Sequence, residues 1–286
     1  VRVEGEGGGR GGGGGRLSAA RVLDLRDLGL RVGFVRLDYL RPHEEVEERG
    51  VSSLVESMRS DGFQSDPLMV DAATMSVLDG AHRLAALREL GARWAAVALV
   101  DYEDPGIELG RWLRSLDPGS AREAAEEGGM TKVEDWRRAA EAVDSSRGRA
   151  AVLMPSGPSY LSRPLGGCLE AHRFARGLWG RGSRVALVPD PEVEEALGSG
   201  AAVVYVPVPL KVEVVVAAAS GDLFPPRSTR HVFGARPVGL DVPLEVLRSE
   251  EPDLELLRRR AAGARVLPPN SEFRGRRYED RLVVFG

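Results

Sequence analysis

The chain has a single cysteine, Cys168, in 286 residues. That excludes a disulfide framework and any cysteine-rich zinc site. Lysine is nearly absent, with only Lys132 and Lys211, so the basic charge is almost entirely arginine. The formal net charge is −4, and no global basic field marks a nucleic-acid partner. No apolar run approaches the roughly 18 residues that a membrane span requires. The first residues are glycine and charge, without the apolar core of a signal peptide. These absences lead to the expectation of a cytoplasmic protein with no membrane partner and no nucleic-acid partner. Histidine is also scarce, at positions 43, 82, 172 and 231 only.

What is present falls into blocks. Residues 1–16 are low-complexity glycine and charge that cannot build a core, and 1–33 reads as a disordered tail with an N-terminal extension. From Phe34 the pattern turns globular. Strands are expected at 34–37, 67–70, 76–78 and 95–102, with helices at 52–59 and 84–90, giving a β-α-β-β-α-β unit. Residues 117–149 are charged and alanine-rich and read as a connector with one helix, 133–142. A second alternation follows, with strands at 150–154, 184–188 and 201–206 and helices at 166–179, 192–197 and 211–220. Residues 251–286 read as a charged C-terminal extension with a helix at 254–262 and a strand at 281–285.

Three of the four histidines sit in polar clusters beside turn signals. The most informative cluster is Asp79-Gly80-Ala81-His82-Arg83, between a short apolar run and a helix that Gly91 stops. A strand that turns through glycine into a helix N-terminus presents unpaired N–H groups and a positive dipole end, a seat for phosphate or another anion. Asp79 supplies a carboxylate able to hold Mg²⁺, and Arg83 a guanidinium able to grip phosphate. The plain alternative is a helix cap with Arg83 on a solvated face. The other clusters are Pro42-His43-Glu44-Glu45, a source of a general base, and Ser228-Thr229-Arg230-His231, a set of donors for a small carboxylate or phosphate. Neighbouring arginines disfavour a histidine zinc site, so phosphate is the better reading. His172 reads as structural or solvent-facing.

Residues 34–113 resemble the ParB/sulfiredoxin-type domain, whose signature is this strand-turn-helix. Sulfiredoxins carry a catalytic cysteine two residues before the arginine, where this chain has Ala81. ParB partition proteins use a Gly-Glu-Arg-Arg type of box followed by a helix-turn-helix, which is not visible here. The free L-serine kinases of the same superfamily have a Pro-His-Glu loop, an Asp-Gly-His-His-Arg turn and a C-terminal Thr-Arg-His segment. Pro42-His43-Glu44, Asp79-Gly80-Ala81-His82-Arg83 and Thr229-Arg230-His231 match these in order and approximate spacing, over roughly residues 34–247. Ala81 stands where the kinases have the first of two histidines.

The resemblance implies an α+β protein: a ParB/sulfiredoxin-like nucleotide-binding domain over 34–116, a connector over 117–149 and a second αβ domain over 150–250, with the active site in the cleft between the domains. It implies phosphoryl transfer from ADP or ATP to free L-serine with Mg²⁺, giving O-phospho-L-serine. The implied catalytic residues are Glu44 as base with Asp79, His82 and Arg83. Gly80, Ala81, His82 and Arg83 would bind the nucleotide phosphates, Asp79 would hold the metal, and Ser57, Trp112, Thr229, Arg230 and His231 would bind the substrate. The competing readings are a ParB-like nucleotide-dependent DNA-binding or partition protein and a catalytically inactive sensor of serine or nucleotide.

Overall fold

A computed structural model of the protein describes residues 19–179 and 185–286. The glycine-rich stretch 1–16 and Arg184, the first residue of one expected strand, lie outside the described residues. The chain divides into two units. The first is built from the described part of Val1–Glu108 together with Ala218–Gly221 and Val232–Gly286, and the second from Leu109–Ala217 and Asp222–His231.

The first unit begins with a hairpin, β1 (Ala20–Leu25) and β2 (Leu30–Arg36), followed by β3 (Arg41–Pro42), α1 (Glu48–Asp61), β4 (Phe63–Gln64), β5 (Leu68–Asp71), β6 (Ser76–Asp79), α2 (Ala81–Glu89) and β7 (Trp94–Val100). Six of these strands form one sheet in the order β1-β2-β7-β5-β6-β3. β7 is antiparallel to β2 and parallel to β5, and Trp94 through Leu99 are all buried. Its three alanines have little strand propensity; burial between two neighbours decides the conformation. Gln64, wholly buried, acts as a substitute strand for Ala96. Its Oε1 accepts the Ala96 N–H and its Nε2 donates to the Ala96 carbonyl, each at 2.9 Å. The β-α-β-β-α-β order expected from Phe34 onward is present, with the two-residue strands β3 and β4 added on either side of α1. The hairpin also reaches back to Ala20, so the globular part begins before Phe34.

The second unit holds β8 (Glu108–Leu116), α3 (Pro118–Glu127), β9 (Thr131–Val133), α4 (Trp136–Ser146), β10 (Ala151–Leu153), β11 (Ser159–Leu161), α5 (Cys168–Trp179), β12 (Ala186–Pro189), α6 (Val193–Gly198), β13 (Ala202–Tyr205), α7 (Lys211–Ser220) and β14 (Thr229–Val232). Its sheet runs β12-β8-β13-β10-β11-β9, with β14 also on β8. The stretch 117–149 is no connector. Ala121, Ala125, Ala139 and Val143 are fully buried in one core with Val152, Leu153 and Val203. Asp117 caps α3 through the N–H groups of Gly119 and Ser120, with Pro118 in the first turn, and Asp135 caps α4, each a local start signal. His172 is structural: its Nε2 donates to the Pro207 carbonyl at 3.0 Å and its ring meets Phe224 edge-on. Burial pushes the Cys168 thiol up to about 12, which leaves it a packing residue.

The chain then completes the first unit with β15 (Arg236–Val238), β16 (Val242–Pro243), α8 (Leu244–Arg248), α9 (Glu255–Ala262), β17 (Arg265–Leu267), β18 (Glu272–Phe273), β19 (Arg276–Arg277) and β20 (Leu282–Val284). β20 lies between β15 and β17 in a three-stranded sheet, and β16 pairs with β4. Residues 251–286 are therefore part of the first unit and not an appendage. Leu257, Leu282 and Val283 are fully buried, and apolar burial of that kind outweighs the charge of the surrounding sequence. No helix among the described residues is long and apolar enough to cross a membrane.

Candidate functional site

Gly80 makes the turn from β6 into α2. Its φ of 105° and a neighbouring Leu68 methyl, which an added Cβ would meet at 2.6 Å, both require glycine. No side chain caps α2, and its first turn carries no acid. The helix thus keeps its dipole end available for an anion.

The loop that carries Glu44 is tied to this turn at two points. β3 pairs with β6, Pro42 opposite Val77. The buried His43 donates from Nδ1 to the Val77 carbonyl at 2.7 Å, which places its Nε2 3.6 Å from Oε1 of Glu44. Further along, the Glu47 N–H donates to Nε2 of His82 at 3.0 Å. Gly50, in the first turn of α1, makes room for that ring; an added Cβ would approach its Cδ2 to 2.9 Å. His82 therefore joins α1, the Glu44 loop and the Gly80 turn. Its Nε2 acts as an acceptor, so the expected role of donor to a nucleotide phosphate is not the one this nitrogen fills. The Glu44 side chain is only 11% exposed.

Asp79 and Arg83 depart further from their expected roles. Arg83 donates to the carbonyls of Asp66 at 3.0 Å and Pro67 at 2.7 Å, and to Oδ2 of Asp79 at 3.2 Å. It braces the turn, with its fork closed on protein atoms. The same Asp79 oxygen is bonded by Arg236, whose Nε donates to Asp280 at 2.6 Å. Burial works to raise the Asp79 pKa, but Arg236, Arg83 and Arg276 overcome it and hold the carboxyl well below its usual range. A carboxylate faced by this much positive charge is a poor seat for Mg²⁺, which prefers anionic oxygens with water and substrate phosphate around it. Among the described residues no three His, Cys, Asp or Glu side chains gather as a metal-holding group. The residues present do not fit Mg²⁺ held directly by Asp79, and no step is assigned to such an ion.

The remaining expected site residues are distributed as follows. Ser57 is exposed on α1 and donates to Oδ2 of Asp61 at 3.0 Å, the arrangement of a helix-surface serine. Trp112, Thr229, Arg230 and His231 belong to the second unit. Trp112 is half-buried on β8, and its N–H donates to the Ser228 carbonyl at 3.1 Å. Thr229 and His231 share the buried face of β14, while Arg230 on the other face reaches Asp190 at 3.5 Å. Gly110 leaves space for that pair, since a Cβ there would lie 3.0 Å from the Asp190 carboxylate. Sequence reasoning did not find Glu47, Gly50, Arg236 or Asp280. The one available hint was Gly50, a glycine inside the first turn of a helix, where close approach of another group is the usual reason.

Comparison with known proteins finds the same kinship that the motifs suggested. The chain is 26% identical over 227 residues to the ADP-dependent L-serine kinase SerK of Thermococcus kodakarensis, covering 75% of this chain and 92% of that enzyme. It is 26% identical over 230 residues to the ATP-dependent L-serine kinase of Staphylothermus marinus, with 75% and 90% covered. A ParB-like protein of Sulfolobus acidocaldarius is 28% identical over 195 residues, with 68% and 86% covered. Among solved structures, a free serine kinase in complex with AMP superposes with a TM-score of 0.62 at 24% identity, covering 75% of this chain and 92% of that one. A conserved protein of Pyrococcus furiosus superposes at 0.61 with 26% identity, over 75% and 96%. No family model matches the chain. The mixed α/β fold is thus that of the free serine kinases and their ParB-like kin.

Proposed function

We propose that this protein transfers the terminal phosphoryl group of ADP or ATP to the hydroxyl of free L-serine, giving O-phospho-L-serine. The observation that carries the reading is the placement of Glu44. Its loop is fastened to the β6–α2 turn by His43 and by the bond from Glu47 to His82, and relatives that cover three quarters of the chain are named L-serine kinases. In this reading the donor end of α2 at Gly80 and Ala81 receives the nucleotide phosphates. Glu44 takes the proton of the serine hydroxyl while the serine oxygen bonds to the terminal phosphorus. The bond from that phosphorus to the bridging oxygen breaks, and its electron pair leaves with AMP or ADP. Phosphoryl transfer depends chiefly on such positioning and charge placement. His43 and His82 act through Glu44 by fixing its loop, and Asp79 and Arg83 act by holding the turn. Thr229, Arg230 and His231 remain the proposed serine-binding segment.

Incubation with L-serine, Mg²⁺ and either nucleotide should yield O-phosphoserine by mass spectrometry. Glu44→Gln should lower kcat by about 10² to 10⁴ while nucleotide affinity stays near wild type. Unchanged turnover would reject Glu44 as the base. Ligand-shifted melting without product in the wild-type protein would instead indicate a sensor.

A further inference from the structure

The first unit holds a cavity of about 450 Å³ that none of Glu44, Asp79, Gly80, His82 or Arg83 lines. Its charged lining residues are Asp24 on β1, Arg31 on β2, Asp101 and Asp104 after β7, and Arg281 before β20. Ala98, Leu99 and Phe233 supply apolar wall. The volume suits a small metabolite.

The carboxylates and the guanidiniums differ in their partners. Asp24 accepts from Nε of Arg26 at 3.2 Å, Asp101 from the Glu103 N–H at 3.1 Å and Asp104 from the Gly106 N–H at 2.8 Å. Arg31 makes no side-chain hydrogen bond or ion pair among the described residues, although Asp24 is its cross-strand neighbour. Among the described residues Arg281 makes one long contact, 3.4 Å to the Leu28 carbonyl, and no ion pair. Both arginines are half-buried. Their unpartnered N–H groups stay accessible to water, and each guanidinium offers the fork of donors that grips carboxylate or phosphate. Three aspartates on the same walls favour a positive group on the same ligand.

We propose that this cavity binds a small zwitterionic metabolite, with its carboxylate or phosphate held by Arg31 and Arg281 and its ammonium facing Asp24, Asp101 and Asp104. Free amino acids and their phosphorylated derivatives share that chemistry. The site goes beyond the kinase reading and stands independently of it.

The test is equilibrium dialysis of the full chain with labelled L-serine and, separately, labelled O-phospho-L-serine. Wild type should bind one equivalent more than Arg31→Gln/Arg281→Gln for at least one of the two, and that ligand identifies the source. If the kinase reading alone fails, both proteins lose one equivalent and the difference between them persists. Arg31→Lys/Arg281→Lys, which keeps charge but not the fork, should weaken this site about tenfold and serves if the glutamine variant does not fold. Inorganic phosphate, which lacks the ammonium, should bind the site at least about tenfold more weakly than the preferred zwitterion. Equal stoichiometry in wild type and both variants overturns the site, and phosphate binding as tight as the zwitterion overturns the assignment of the aspartates.

Discussion

Two regions of the first unit each hold a pair of arginines, and the pairs have opposite fates. At the β6–α2 turn, Arg83 and Arg236 close on Asp79, on two backbone carbonyls and on Asp280. In the cavity beside β1, β2 and β7, Arg31 and Arg281 have almost no partners among the described residues. The motif arginine, Arg83, looks like a ligand-binding residue and is architecture, as is Arg236 beside it. The pair outside any motif is the one with donors to offer. Residue type and motif membership say where a guanidinium is, and its partners decide what it can do.

Removing the architectural pair should have the larger effects. Arg236→Ala takes the paired cation from the buried Asp280 and leaves Asp79 to Arg83, and should cost about 3–5 kcal/mol of stability by urea unfolding. Arg83→Ala strips partners from two carbonyls and one carboxylate, and should cost about 1–3 kcal/mol, with a matching drop in melting temperature. Acid should act on the same contact. Because the folded state holds the Asp79 pKa below its ordinary value of 3.8, its contribution is complete above that pH and is lost as pH falls through the folded value. Urea midpoints between pH 7 and pH 2 should therefore fall less steeply in Arg236→Ala than in wild type. The smallest effect belongs to the other pair: Arg31→Gln/Arg281→Gln should stay within about 0.5 kcal/mol of wild-type stability without ligand. A large loss there would show that these arginines too are structural, and would erase the contrast.

Much of the fold was legible locally. Helix 211–220 was expected over the residues that α7 occupies, and the turn at Gly80 followed from its apolar run, its glycine and the helix after it. The stretch 117–149 was misread because a helix that buries alanine looks polar by composition; Asp117-Pro118 and Asp135 were the start signals to weigh. Residues 251–286 were misread for a related reason. Charge dominates their composition, yet one helix and one of four short strands bury Leu257, Leu282 and Val283 completely. At the site, the Pro-His-Glu and Asp-Gly-Ala-His-Arg segments were found from sequence. Their division of labour was not, since it depends on partners 35 residues away for His82 and 157 away for Asp79.

By itself the sequence determined the strand-turn-helix at Gly80, because only glycine tolerates the backbone angle needed there, and it determined the nearness of Glu44 to a buried imidazole, because His43 is the adjacent residue. Tertiary structure decided that Asp79 and Arg83 hold the turn, that His82 receives the N–H of Glu47 just before α1, and that the C-terminal residues complete the first unit. Those outcomes come from long-range pairing of charge and burial of apolar surface, and neither is encoded in the spacing of neighbouring residues.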